Sequence, residues 1–255
     1  MRVEPVASPV QSLVRFLKDY KNLRRGLPYS ESGSSFKVRP NFPVFRDFSA
    51  PAGEMTGHYF HQDLLVARQI FEARPRRHID IGSAIHGFVA HVASFREIEV
   101  MDIRPGSISR DHHITFIQRD LMAPLGDFRE ATDSLSCLHT LEHLGLGRYG
   151  DAVDPDAWLK GLSQLKRILE PGGTLYLSVP TGTHQRIDFN AHRVFTLPYF
   201  RNTLLSDFSI QNLAFVDDTG DLHPSVDPFG SDAEQSFKAR YGLSIWTLAR
   251  SHDGI

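Results

Sequence analysis

Arg77-His-Ile-Asp-Ile-Gly-Ser-Ala-Ile-His-Gly87 decides the fold of this chain. An apolar strand closes on Asp80, enters a turn of small residues (Gly82, Ser83, Gly87) and continues as the apolar-periodic stretch Phe88 to Phe95. Small residues at such a strand–turn–helix junction let backbone N–H groups come close to a ligand. Asp102 ends the next strand-like run, Ile98-Glu-Val-Met-Asp102, 20 residues beyond Gly82. That spacing suits a carboxylate holding an adenosine ribose in a β-α-β unit. The pattern predicts a ligand that carries an adenosine.

Asp80 bears on which ligand. A pyrophosphate wants bare backbone amides, and a carboxylate two residues ahead of the glycine turn works against it. S-adenosylmethionine (SAM) has no phosphate but carries a sulfonium and an ammonium group, both of which Asp80 would attract directly or through water. The rest of the chain agrees. Ile114 to Gln118 reads as a third strand leading to Asp120-Leu121, an acid–apolar pair suited to an adenine amino group and ring face. Asp133 to His143 reads as a fourth strand breaking into a polar loop. Trp158, Leu159, Leu162, Leu165, Ile168 and Leu169 recur with helical period, Glu170-Pro-Gly-Gly173 stops that helix, and Thr174 to Val179 is a fifth apolar strand.

In this order (acid and glycine loop, acid, acid, Leu141-Glu-His143, helix, Pro-Gly-Gly, strand) residues 76 to 216 resemble the class I SAM-dependent methyltransferase superfamily. A narrower likeness is carried by Gly57-His-Tyr-Phe-His-Gln-Asp63, Asp80 to His91, His139-Thr-Leu-Glu-His-Leu-Gly-Leu-Gly-Arg-Tyr-Gly-Asp151 and Phe189-Asn-Ala-His-Arg-Val-Phe195. These are similar to the methyltransferase-like family labelled domain of unknown function 268. That resemblance implies a carbohydrate-related acceptor, because its members are associated with bacterial surface-glycan genes. One position departs from the superfamily pattern: Ala84 stands where a second glycine is usual.

The resemblance implies a Rossmann-like α/β fold with a doubly wound, mostly parallel sheet and an antiparallel hairpin at its edge. Asp80, Gly82, Ser83 and Gly87 would form the methionine-side loop, Asp102 would hold the ribose, and Asp120 with Leu121 would frame the adenine. His139, Glu142, His143, His192 and Arg193 would surround the transfer point. His192 is the first choice of general base, since it lies in the polar insertion Pro180 to Val194, where such enzymes shape the acceptor site. The Leu-Glu-His motif recurs with different acceptors, which favours a structural or cofactor-side role for His143. Arg186 and Arg193 have the chemistry to grip an acceptor carboxylate or phosphate, or to serve as surface charge.

The remaining sequence bounds this reading. The 255 residues suffice for one well-buried α/β domain with additions. A formal charge of −2 argues against a dedicated nucleic-acid surface. The single cysteine, Cys137, allows no internal disulfide and reads as buried filler. No long apolar run suggests a leader or a membrane span, so a cytoplasmic protein is expected. Residues 1–53 are expected to form an extension: an amphipathic helix over Ser8 to Leu23 with a basic face, then a proline-containing segment. Residues 54–255 are expected to form the SAM-binding domain. His58-x-x-His61-x-Asp63 and His112-His113 match no compelling ligand motif, and no metal is expected.

Two other functions remain open at this stage. One is a non-catalytic module of the same fold that binds a glycan or a partner enzyme, which Ala84 favours. The other is a nicotinamide-dependent sugar oxidoreductase or epimerase, which would want a Tyr-x-x-x-Lys pair. Tyr20 and Tyr149 have no lysine four residues on.

Overall fold

The computed structural model describes residues 9–30, 37–41, 43–45, 53, 55–106 and 112–251. Two compact units are present, 1–55 and 56–255. In the first, α1 (Pro9–Gly26) runs into a single 3-10 turn, Leu27–Tyr29. Proline at the first position suits a helix start, because the missing N–H has no partner there in any case. Phe16 stacks on Tyr20 and meets Phe45 edge-on. The basic residues Arg24 and Arg25 fall in the last turn, where the helix dipole favours cations.

The second unit is built on an eight-stranded sheet. Its strands are β1 (His78–Ile81), β2 (Ile98–Asp102), β3 (Ile114–Gln118), β4 (Thr132–Leu138), β5 (Leu169–Thr181), β8 (Phe208–Val216), β9 (Leu222–His223) and β10 (Gly242–Arg250). Their order is β3-β2-β1-β4-β5-β10-β8-β9. The first five pair in parallel, and β10 inserts antiparallel between β5 and β8. A separate hairpin, β6 (Arg186–Asp188) with β7 (His192–Val194), occupies the polar insertion.

Strand periodicity divides the core. Ile79, Ile81, Leu135, Cys137, Leu175, Leu177 and Trp246 point to one face, where α4 (Ala157–Ile168) and α5 (Leu197–Leu204) pack. Val100, Tyr176, Ala214 and Ile245 point to the other, against α2 (His58–Ala73) and α3 (Ala90–Ala93). Helix α2 buries Gln62, Asp63, Val66, Ala67 and Ile70, one stripe at helical spacing. The same alternation places His78 and Asp80 of β1 opposite Ser134 and Ser136 of β4 in register. A buried polar ladder therefore crosses the centre of the sheet.

Three local expectations change. The helix expected over Phe88 to Phe95 begins earlier, as a wide turn over Ile85–Val89 broken at Gly87 (φ −108°, ψ −116°), and ends at Ala93. The cause is packing: a Cβ on Gly87 would stand 2.9 Å from an Asp63 carboxylate oxygen. Glu170 to Gly173 bulges within β5, whose first residue pairs with Thr132 before the register shifts. The stretch Asp217 to Asp232, whose aspartates, glycines and prolines predict a loop, contains β9 and the start of α6 (Ser231–Glu234). Among the described residues, no helix is long and apolar enough to cross a membrane.

Candidate active site

A cavity of about 560 Å³ opens at the C-terminal ends of β1, β2 and β4, the edge at which open α/β sheets take ligands. Gly82, Asp102, Asp120 and Leu121 line it, as do His139 and His143. Asp80, Ser83, Gly87, Ala84, Glu142, His192 and Arg193 do not line it.

Gly82 has φ +77°, and its N–H donates to the Met101 carbonyl at 2.9 Å. Any side chain here would meet Thr140, whose Cγ2 would stand 2.7 Å from an added Cβ. Asp80 is fully buried beneath this turn. Its carboxylate accepts from the Ser83 N–H (3.0 Å), the Ser83 hydroxyl (2.8 Å) and the Ser136 hydroxyl (2.6 Å). Burial pushes its carboxyl up to about 6, against the pull of these neutral donors. His78 bridges Ser134 (2.7 Å) and Ser136 (3.1 Å), and burial drives its imidazole down to about 3. In this geometry Asp80 braces the loop and does not face the cavity.

Asp102 lines the cavity with its carboxylate engaged. Arg104 donates to it from its backbone N–H (2.8 Å), Nε (2.9 Å) and Nη2 (2.5 Å), and lays its guanidinium over the Tyr149 ring at 4.7 Å. Asp120 accepts from the Met122 N–H at 2.8 Å, with Leu121 buried beside it. Arg104 and Tyr149 escape sequence reading because only the fold brings the guanidinium over a ring far along the chain, in a loop shaped by a nearby acid. Asp151 collects the N–H groups of Gly145, Gly147 and Tyr149.

Past β4 the cavity meets a cluster of imidazole and phenol rings. His139 sits at φ +50°, a backbone conformation that only a determined surrounding sustains in a non-glycine residue. Its Nδ1 lies 2.7 Å from Glu142 Oε1, and its Nε2 is buried without a hydrogen-bond partner. The His58 ring stacks on it at 5.4 Å and Tyr59 tilts against it at 4.9 Å. Burial lowers His58 to about 4. Glu142 is wholly buried, and its Oε2 has no partner. Burial alone would raise its carboxyl, but the charges of His139 and His143 and the His139 hydrogen bond hold it below the usual range. His143 places Nδ1 2.6 Å from the Ala191 carbonyl and Nε2 3.7 Å from Glu142.

The hairpin residues take different places from those expected. His192 lies on β7, 3.5 Å from Asp188 and with its ring 5.2 Å from that of Tyr241. Arg193 is buried, 4% exposed, and donates to the carbonyls of Glu142, Leu144 and Pro155. That occupation corrects the expectation of an acceptor-gripping guanidinium: Arg193 ties the hairpin to the Leu-Glu-His turn. Arg186 pairs with Asp188 on the exposed strand β6. Cys137 is buried, and burial raises its thiol far above the ordinary value. Among the described residues, no group of three histidine, cysteine or acidic side chains is arranged to hold a metal.

CurJ, a carbon methyltransferase, aligns with 74% of this chain and 54% of its own, at a TM-score of 0.50 and 13% identity. The chain shares the fold of this methyltransferase. Two further methyltransferase structures are similar. The N-methyltransferase NodS from Bradyrhizobium japonicum, solved with S-adenosyl-L-homocysteine (SAH), has a TM-score of 0.49 and 14% identity over 91% of this chain and 98% of its own. A Burkholderia thailandensis 1,6-didemethyltoxoflavin-N1-methyltransferase has a TM-score of 0.49 and 12% identity over 98% and 93%. The family model described as "Caenorhabditis protein of unknown function, DUF268" matches residues 88–209 of this methyltransferase-fold chain. The match takes in the Leu-Glu-His turn and the hairpin, and begins just after the glycine loop. No curated protein matches the chain in sequence.

Proposed function

We propose that the protein is a SAM-dependent methyltransferase acting on a small or carbohydrate-type acceptor. The observation that carries this reading is one cavity that joins Gly82, Asp102, Asp120 and Leu121 to His139 and His143 at the sheet's C-terminal edge. Gly82 offers close backbone approach, Asp102 offers acceptor oxygens for ribose hydroxyls, and Leu121 offers an apolar face for the adenine. Bound SAM supplies a methyl group already activated by its sulfonium, so the protein's task is to hold donor and acceptor in line and to manage one proton. A carbohydrate-type acceptor is supported by the uncharged character of the ring cluster. His58, His143 and His192 are all lowered by burial, which favours neutral imidazoles beside an uncharged acceptor. Ala84 is exposed and lies off the cavity, so its methyl leaves the donor space free.

Calorimetric titration with SAM and SAH, with NAD as control, tests the reading. Saturable binding of the first two, not of NAD, and its loss in Asp102→Ala are expected. Absence of binding by both SAM and SAH would leave a methyltransferase fold used as a binding module.

A further inference from the structure

We propose that His139, held in place by Glu142, is the group that takes the acceptor's proton. The inference rests on the methyltransferase reading above and assigns its general base. His139 lines the cavity from the end of β4. Its backbone N–H is fixed on Ser178, to the carbonyl at 3.3 Å and the hydroxyl at 3.0 Å, and the Ser178 hydroxyl donates in turn to Gln62 of α2. The imidazole is therefore placed by two elements packed on the same strand end.

The hydrogen-bond inventory then settles which nitrogen is free. An ionised carboxylate only accepts, and Glu142 Oε1 lies 2.7 Å from His139 Nδ1. The proton in the 2.7 Å contact consequently sits on Nδ1, and Nε2 presents a lone pair. That Nε2 is buried and has no partner. An orphaned buried nitrogen is costly to the fold, which is the expected mark of a group reserved for a ligand.

The other imidazoles are less well placed. His143 spends Nδ1 on the Ala191 carbonyl, and its second nitrogen faces the same carboxylate. His192 faces Asp188 from outside the cavity lining. His58 and Tyr59, in the first turn of α2, cover His139. Tyr59 is 63% exposed and is the ring that an arriving acceptor displaces. In the reaction, Nε2 takes the hydroxyl proton while the oxygen's electron pair forms the new bond to the methyl carbon. The pair of the broken S–C bond returns to sulfur, leaving the thioether. Glu142 stabilises the resulting imidazolium.

Nuclear magnetic resonance of the full chain labelled with 15N-histidine tests this without any acceptor. At pH 7.5, His139, assigned through its backbone resonances, is expected as the neutral tautomer protonated at Nδ1. Its signals should move on addition of SAH, and Glu142→Gln should abolish the preference for Nδ1. An imidazolium or an Nε2-protonated ring in the native chain would overturn the proposal, and this readout depends on no variant folding. An unchanged tautomer in a folded Glu142→Gln protein would overturn the role of Glu142. Selective broadening of the His139 and His143 signals by Mn2+ would overturn the base assignment, because the lone pair would then be spent on a metal. If SAH shifts cavity resonances but not those of His139, the base is wrong and the cofactor reading stands. If SAH shifts none, the methyltransferase reading fails first.

Discussion

Asp80 and Glu142 are two carboxylates with the same burial and opposite behaviour. Both are fully inaccessible, and each lies near the C-terminal end of a central parallel strand. Asp80 has three donors, all neutral, and burial still pushes it up to about 6. Glu142 has one hydrogen bond and one orphaned oxygen, yet it is held below the ordinary range because His139 and His143 stand beside it. Neutral dipoles do not repay the cost of bringing a charge out of water, whereas a facing imidazole that can itself become charged does. The glycine loop after β1 is thus braced by a carboxyl raised towards neutrality. The ring cluster past β4 is organised around a standing negative charge.

The largest effect expected from this contrast is on the pH dependence of stability. Asp80 is raised in the fold, so the folded chain binds more protons than the unfolded chain between about pH 4 and 6, and stability falls as pH rises through that window. The loss amounts to about 3 kcal/mol for a rise from the ordinary carboxyl value of 3.8. Urea unfolding of Asp80→Asn against the native chain should show the variant gaining that amount in relative stability from pH 4 to 7. A pH-independent difference would break the comparison. Glu142 is lowered, so its contribution is present above the ordinary glutamate value and is lost as pH falls through its folded value. Glu142→Gln should accordingly change the curve with the opposite sign, and on the acid side.

A smaller effect tests whether Arg193 is structural. Arg193→Lys cannot reach three backbone carbonyls at once, and a loss of about 2 kcal/mol in unfolding free energy is expected. SAH affinity should stay within error, since Arg193 lies off the cavity. A large drop in affinity with stability unchanged would restore it to the ligand. The smallest effect concerns Asp102. Its partner Arg104 is 46% exposed in its side chain, so Arg104→Ala should cost less than about 1 kcal/mol in stability. By freeing the carboxylate, it should tighten SAH binding by about threefold, near 0.6 kcal/mol. Weaker binding would show that Arg104 itself touches the cofactor.

Much of the sheet was legible from the residues. The runs at Ile98 and Ile114 are strands close to where the residue pattern places them, and the α4 stripe from Trp158 to Ile168 is the expected helix. The interior pairings were not legible. The step from His78 and Asp80 to Ser134 and Ser136 spans more than fifty residues, and only the register of two parallel strands brings them together. The contact of His58 and Tyr59 with His139 was not legible either, because α2 lies far in sequence from β4. The position proposed for the proton acceptor shows the same limit. His192 drew the eye as a loop histidine beside an arginine, while His139 sat inside a recurrent motif with no local sign that one nitrogen would be left free.

By itself the sequence determined the α/β layout, the glycine turn and the acids at the ends of successive strands, because hydrophobic period and turn chemistry act over a few residues. Tertiary structure decided which of those acids face the cavity, which arginine is spent on carbonyls and which imidazole keeps an unpaired nitrogen. Those outcomes depend on burial and on partners far along the chain, and electrostatics at a buried group is set by whatever the fold brings beside it.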